Sequence, residues 1–219
     1  MNLLWNSYGS SRIAGFASIN YRLSPHPQHE RWPSSLEDPS RNAVHPAHIR
    51  DVENALKYLE KAHQISDGYL LAGHSAGATL AFQVKASGLP KPLAVVGVAG
   101  IYDLALLIQN HQDQSIYETF VRGAFPDKTT WKDASPALSE QTDLLWREAK
   151  LVVISHSQED GLVEVAQAER MFERARMFLG AESVLHFVEA KGQHDAMWED
   201  GMPLAEVITN VVSLLDGVK

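Results

Sequence analysis

The sequence has no cysteine among its 219 residues. Disulfide bonds, thiolate catalysis and cysteine-rich zinc sites are therefore excluded, and a cytoplasmic protein is the simplest expectation. No apolar run approaches the roughly 20 residues that a membrane-spanning helix needs. The first eleven residues carry a short apolar patch without a basic segment, so we expect no signal peptide.

Clustered positive charge is missing as well. The 19 lysine and arginine residues are scattered along the chain, and the formal net charge is −8. We therefore expect neither nucleic acid nor an anionic membrane as a partner. The ten histidines form no H-E-x-x-H or other metal-binding spacing, so we also expect no metal and no cofactor.

Short β-rich runs do alternate with longer helical patterns. Five runs predict strands, and they cover residues 13–20, 68–72, 93–98, 151–155 and 184–188. Four stretches with apolar residues three or four apart predict helices, which begin near residues 45, 76, 163 and 203. This alternation is typical of an α/β fold, with a mostly parallel sheet and helices on both faces. The functional residues are then expected in loops at the carboxyl ends of the strands.

Residues 101–148 differ from this alternation. They contain short helical pieces and aromatic residues, interrupted by Phe125-Pro126 and Ser135-Pro136. This pattern predicts a small helical insertion over the sheet. Because no repeat or low-complexity tract divides the chain, we expect a single domain over residues 1–219 that carries the insertion at about 101–148.

Residues 73–77, GHSAG, match the pattern G-x-S-x-G between a predicted strand and a predicted helix. In that setting the pattern predicts a nucleophile elbow, in which Ser75 occupies a strained turn and projects its hydroxyl above the sheet. Gly73 and Gly77 would let the strand and the helix approach closely. The backbone N–H of Ala76 would face a developing oxyanion. A glycine-rich turn with an incidental serine is the alternative.

A serine nucleophile needs a base, and in this fold an acid and then a histidine follow it along the chain. Asp160 lies just past a predicted strand, and its turn pair with Gly161 favours it over the neighbouring Glu159. His194 follows the last predicted strand and is the expected base. These residues predict a serine hydrolase of the α/β-hydrolase type, which acts on a small-molecule carbonyl compound.

Three further histidines lie near these positions in the sequence. His74 is inside the elbow, and we expect its side chain to point away from the site. His156 is close to the loop of Asp160 and is a candidate for a supporting contact. His186 lies within a predicted strand, where packing is the expected role.

Several stretches resemble fungal kynurenine formamidases (arylformamidases), a group of hormone-sensitive-lipase-like α/β-hydrolases. They are INYRLSP at 19–25, GHSAGAT at 73–79, GIYDLALL at 100–107, FVRGAFPD at 120–127, SHSQEDGLV at 155–163 and GQHDAMWEDG at 192–201. Together they span nearly the whole chain in the expected order. The resemblance implies hydrolysis of N-formyl-L-kynurenine to L-kynurenine and formate, a step of tryptophan catabolism toward NAD. By their positions in the matching stretches, the resemblance also implies that Ser75, Asp160 and His194 correspond to the catalytic triad of the family.

The resemblance also suggests where the substrate binds. Aromatic residues of the insertion, Tyr102 and Phe120 together with Tyr117 and Phe125, are candidates for a wall against an aryl ring, with core packing as the alternative. Arg122 is a candidate for the substrate carboxylate, with a solvated or structural arginine as the alternative.

One family feature is missing from this sequence. Members carry an H-G-G-x-W segment ahead of Y-R-L-S-P, and its glycine N–H groups complete the oxyanion hole. From its absence we expect an N-terminally truncated fold, with residues 5–7 as a remnant of the region after that segment. Loss of one oxyanion donor typically costs about 10²- to 10³-fold in rate. An uncovered sheet edge would favour association into a homodimer. A general carboxylesterase and a catalytically impaired hydrolase-fold protein are the alternative functions.

Overall fold

Four parallel strands form the sheet of the computed structural model, which describes residues 12–27, 33–35, 37–180 and 183–217. The strands are β1 (Leu70–His74), β2 (Ala94–Val98), β3 (Leu151–Ser157) and β4 (Val184–Ala190). They lie in the order β1-β2-β3-β4, and each neighbouring pair is parallel. All four therefore end at one edge of the sheet, and the four strands predicted from residue 68 onward are confirmed.

Helices connect and cover these strands. Within the described residues they are α1 (Ala47–His63), α2 (Ala76–Gln83), α3 (Leu104–Asn110), α4 (Ser115–Ala124), α5 (Trp131–Ala134), α6 (Val165–Phe178), α7 (Ala196–Glu199) and α8 (Met202–Leu215). Single 3-10 turns lie at Ile65–Asp67, Lys128–Thr130 and Leu145–Glu148. The periodic apolar pattern predicts α1, α2, α6 and α8 but not the short α7. In the part of the chain that the structure describes, no helix is both long and apolar enough to cross a bilayer.

Helices pack on both faces of the sheet, as predicted. On one face Val95 belongs to an apolar cluster with Leu56 of α1 and Met171 of α6. On the other face Val96 belongs to a cluster with Val211 of α8. Every residue of β2 and β3 is buried. This burial explains why these strands are apolar runs rather than alternating patterns.

The prediction of a strand at residues 13–20 is wrong. The segment is irregular and mostly exposed. Ile13 packs against α8, whereas Ile19 packs against the cluster on the opposite face of the sheet. A strand is held by backbone hydrogen bonds to a neighbouring strand along its length, and residues 13–20 are not hydrogen-bonded into the sheet, whose strands within the described residues are β1 to β4. Residues 5–7, the predicted remnant, lie outside the described residues.

Gln167 of α6 fastens the segment 101–148 to the rest of the fold. This segment contributes α3, α4 and α5, whose apolar side chains form a cluster of their own. Oε1 of the buried Gln167 accepts the N–H groups of Tyr102 and Asp103 at 2.8 and 2.7 Å, and its Nε2 donates to the Asp103 carbonyl at 2.9 Å. Asp103 in turn caps α3 and pairs with Arg170. The insertion is therefore tied to the helix that follows Asp160.

Candidate active site

Ser75 lies on the turn between β1 and α2, at the carboxyl edge of the sheet. Its backbone has φ +54° and ψ −125°, a conformation that residues with a side chain rarely adopt. Its N–H donates to the Val98 carbonyl at the end of β2, with an N–O distance of 3.0 Å. Strain of this kind persists only where the surrounding structure enforces it, and it is concentrated at functional sites. The turn has the geometry that the G-x-S-x-G pattern predicts.

Close approach of strand and helix at this turn depends on Gly73 and not on Gly77. A Cβ atom on Gly73 would lie 2.6 Å from the Ala78 nitrogen and closer still to the Gly77 carbonyl. A Cβ atom on Gly77 would have nothing within 4 Å. The expectation that both glycines are needed is therefore corrected, because only the first faces the backbone of the other element.

Gly73→Ala should destabilise the protein by about 3 kcal/mol or more, since the atoms that must move are backbone atoms. Gly77→Ala is the matched control, which should be neutral or slightly stabilising because alanine favours a helix over glycine. Urea unfolding of both variants measures the difference. Equal stability of the two variants would contradict the close packing at residue 73.

Asp160 occupies the loop of residues 158–164, called here the acid loop, which follows β3. Its Oδ2 accepts the Nδ1–H of His194 at 2.7 Å. Its Oδ1 accepts the N–H groups of Leu162 and Val163, each at 2.9 Å. The neighbouring Glu159 is exposed. The structure thus places Asp160, rather than Glu159, against His194.

These contacts determine the charge of Asp160. Burial acts to raise the pKa of its carboxyl group, but the hydrogen bonds from His194, Val163 and Leu162 outweigh burial and leave the pKa below its ordinary value. The group is therefore a carboxylate at neutral pH. A carboxylate can only accept, so Nδ1 of His194 carries the hydrogen and Nε2 is left to receive a proton.

The position of His74 differs from the prediction that its side chain points away from the site. Its ring does not point away from the site but packs against His194, with ring centroids 4.6 Å apart. Burial, together with the nearby His194, lowers the pKa of His74 to about 4. His74 is therefore neutral at physiological pH and adds no repulsion when His194 becomes positively charged.

The three predicted triad residues are brought to one edge of the sheet, but only two are in contact. Asp160 and His194 are hydrogen-bonded. Ser75 adjoins His74, whose ring touches His194. Among the residues that the structure describes, the Ser75 hydroxyl makes no hydrogen bond. Contacts of catalytic groups often tighten only when a substrate binds.

The backbone N–H of Ala76 is the first of α2. Ala76 opens this helix directly after Ser75, so its N–H has no acceptor within the helix. The positive end of the helix dipole lies at the same place. The group is thus available to an anion that forms beside Ser75.

The predicted substrate-binding residues have different surroundings. Tyr102 has no exposed surface and packs edge-on against Phe82, with ring centroids 5.5 Å apart. The prediction that it lines a substrate wall is therefore corrected: it belongs to the core. Phe120 is 47% exposed and lies beside His26.

The remaining residues of that prediction contact other residues of the insertion, and the Tyr117 hydroxyl also donates to the Leu162 carbonyl in the acid loop at 2.8 Å. Arg122 pairs with Glu118 on α4, and its guanidinium lies 5.8 Å from the Trp131 ring. Tyr117 and Phe125 are buried in the cluster of the insertion. Among the described residues, no group of three or more His, Asp or Glu side chains is arranged to hold a metal ion.

The sheet, the serine on its strained turn and the Asp–His pair after later strands define an α/β-hydrolase. A hormone-sensitive lipase from a metagenome library superposes with a TM-score of 0.61 at 18% identity, over 78% of this chain and 62% of that chain. Carboxyl esterase 2 of the fungus Tuber melanosporum superposes with a TM-score of 0.58 at 16% identity, over 80% and 63%. At these identities the likeness shows the fold alone.

Similarity in sequence is more specific. Kynurenine formamidase-like hydrolase fscH of Fusarium equiseti is 34% identical over 216 residues, which cover 94% of this chain and 72% of the relative. Kynurenine formamidase avaC of Aspergillus versicolor is 33% identical over 212 residues, which cover 86% and 71%. No protein-family model matches the chain. The chain is a hydrolase that belongs to the kynurenine formamidase family, which confirms the resemblance found in its sequence.

Proposed function

We propose that this chain hydrolyses N-formyl-L-kynurenine to L-kynurenine and formate, with Ser75 as nucleophile, His194 as base and Asp160 as orienting carboxylate. The observation that carries the proposal is the 2.7 Å bond from His194 Nδ1 to Asp160 Oδ2 beside the strained Ser75 turn. The choice of substrate is supported by the relatives that are named kynurenine formamidase. The products would place the reaction in tryptophan degradation toward NAD.

The reaction would proceed through a formyl-enzyme. Ser75 Oγ attacks the formyl carbon while its proton passes to Nε2 of His194. The carbonyl oxygen becomes an oxyanion, which the N–H of Ala76 faces. His194 then returns the proton to the aryl nitrogen, the C–N bond breaks and L-kynurenine leaves. A water molecule then attacks the formyl ester while His194 takes its proton. His194 returns this proton to Ser75 Oγ as the ester bond breaks, so formate is released and the free serine is restored.

Asp160 supports both proton transfers. Its charge faces Nδ1 of His194, so it stabilises the imidazolium that exists in each tetrahedral intermediate. Two backbone N–H groups hold its other oxygen. This arrangement costs no reorganisation during the reaction, which is the property that makes a fixed charge effective in catalysis.

Incubation of the purified chain with N-formyl-L-kynurenine tests the proposal. We expect formate and L-kynurenine in equal amounts, measured by a formate dehydrogenase assay and by chromatography. An aryl acetate and a fluorophosphonate probe are run in parallel. Turnover of the acetate with the formyl substrate intact would indicate a general carboxylesterase. Absence of fluorophosphonate label on Ser75 would indicate a hydrolase-fold protein without an activated serine.

A further inference from the structure

His156 is a buried histidine that the proposed reaction does not use. It lies in β3, and its side chain has no exposed surface. Its Nε2 lies 2.8 Å from the Val163 carbonyl oxygen. Because a carbonyl can only accept, Nε2 of His156 carries the hydrogen. His156 therefore donates a hydrogen bond from β3 to the backbone of the acid loop.

Val163 connects this bond to the carboxylate. Its N–H donates to Oδ1 of Asp160 at 2.9 Å, while its carbonyl accepts from His156. Nε2 of His156 is also 3.6 Å from Oδ2 of Asp160, the oxygen that accepts from His194. At that distance the His156 N–H contributes a favourable dipole rather than a second hydrogen bond. His156 therefore influences both oxygens of Asp160. It reaches Oδ1 indirectly through Val163 and Oδ2 directly through the dipole of its N–H.

The other nitrogen of His156 argues against a purely structural role. Nδ1 is buried and has no partner among the described residues. A buried polar atom without a partner costs free energy, and an apolar side chain of similar shape would avoid that cost. Such a group calls for an explanation, and the donor on the opposite side of the ring supplies one.

We propose that His156 is a positioning residue, which fixes the backbone of Val163 through its carbonyl group and thereby holds the Val163 N–H that aims the Asp160 carboxylate at His194. This inference rests on the proposed function, since Asp160 is its acid. Without the Nε2 donor, the Val163 carbonyl loses its partner and the backbone of Val163 is held less firmly, so the carboxylate stabilises a positively charged His194 less well. His194 is hydrogen-bonded to Asp160 and packs against the His74 ring, and His74 in turn interacts electrostatically with Asp160 and Asp195. A substitution at residue 156 removes none of these ionisable groups.

Three substitutions test the role of the donor. His156→Leu removes it, His156→Gln places an amide N–H near the position of Nε2, and His156→Asn carries an amide too short to reach Val163. We expect kcat/KM to fall about tenfold in His156→Leu and His156→Asn, with kcat rather than KM affected. The acid limb of the pH–rate profile should move to lower pH. His156→Gln should retain at least half of the activity and the original profile.

Ser155→Ala is the matched control. Ser155 is the neighbouring residue of β3, is equally buried and faces the opposite side of the sheet. A merely structural role for His156 would lower thermal stability without moving the pH profile. Ser155→Ala should leave the pH profile unchanged and should not lower stability, because the Ser155 hydroxyl has no partner among the described residues. If His156→Leu does not fold, the comparison of His156→Gln with His156→Asn still tests the proposal. The proposal would be overturned if His156→Asn kept the wild-type kcat/KM and the wild-type acid limb of the pH–rate profile. It would also be overturned if His156→Gln and His156→Asn lost kcat/KM equally.

A second measurement does not need turnover. The hydrogen between His194 and Asp160 should give a low-field proton resonance in the intact 219-residue chain. We expect this resonance to broaden or move upfield in His156→Asn and to remain in His156→Gln. If the formyl substrate is not hydrolysed, this resonance still tests the role of His156. Failure of the positioning role is therefore distinguishable from failure of the proposed function.

Discussion

Ser75→Ala should lower kcat for N-formyl-L-kynurenine by about 10⁴-fold or more. The covalent route requires an oxygen on this residue, and no formyl ester forms without it. What remains is the electrostatic stabilisation that the N–H of Ala76 and the helix end offer to an oxyanion. Formate release under single-turnover conditions measures the loss.

The same substitution should leave the fold intact. Alanine keeps the Cβ atom of serine, so the strained φ of +54° is no worse, and the backbone bond from residue 75 to the Val98 carbonyl is unaffected. Ser66→Ala removes an exposed serine that bonds to Glu60 and serves as a control with wild-type activity. More than one per cent residual activity in Ser75→Ala would point to direct attack by water instead of a formyl-enzyme.

The elements that the sequence predicts well are those whose pattern depends on local burial. β2 and β3 are covered on both faces, so they are continuous apolar runs that no exposed helix would tolerate. The segment 13–20 shows the limit of that argument. It has the composition of a strand, but a strand also needs a partner along its length, and composition does not report whether one is present.

Long-range contacts explain what the sequence could not predict in the site. The orientation of His74 depends on the ring of His194, 120 positions away in the chain. Gln167 looks like an ordinary polar residue of an amphipathic helix, yet it is fully buried because Tyr102 and Asp103 supply backbone partners. Ser75, Asp160 and His194 could be predicted from the sequence because each follows the end of a strand, where the functional loops of a parallel sheet lie.

Asp160→Asn should lower kcat/KM by about 10³- to 10⁴-fold at neutral pH. The asparagine amide has nearly the shape of the carboxylate, but it carries no charge to stabilise the imidazolium. It can also donate to Nδ1 of His194, which would leave the ring hydrogen on Nε2, where the Ser75 proton must be received. Steady-state kinetics with the formyl substrate measure the loss. Glu159→Gln is the matched control, since that exposed neighbour should change kcat/KM less than twofold.

Acid unfolding provides an independent check of the same carboxylate. The folded-state pKa of Asp160 lies below its ordinary value of 3.8, so the unfolded chain binds more protons than the folded protein in this pH range. The stabilisation is complete above the ordinary pKa and is lost as the pH falls through the folded value. Asp160→Asn lacks this titration, so its free energy of unfolding should decrease less than that of the wild type between about pH 5 and pH 2. Parallel acid profiles for the two proteins would show that Asp160 is not held as a charged group, and the electrostatic part of the mechanism would then fail with it.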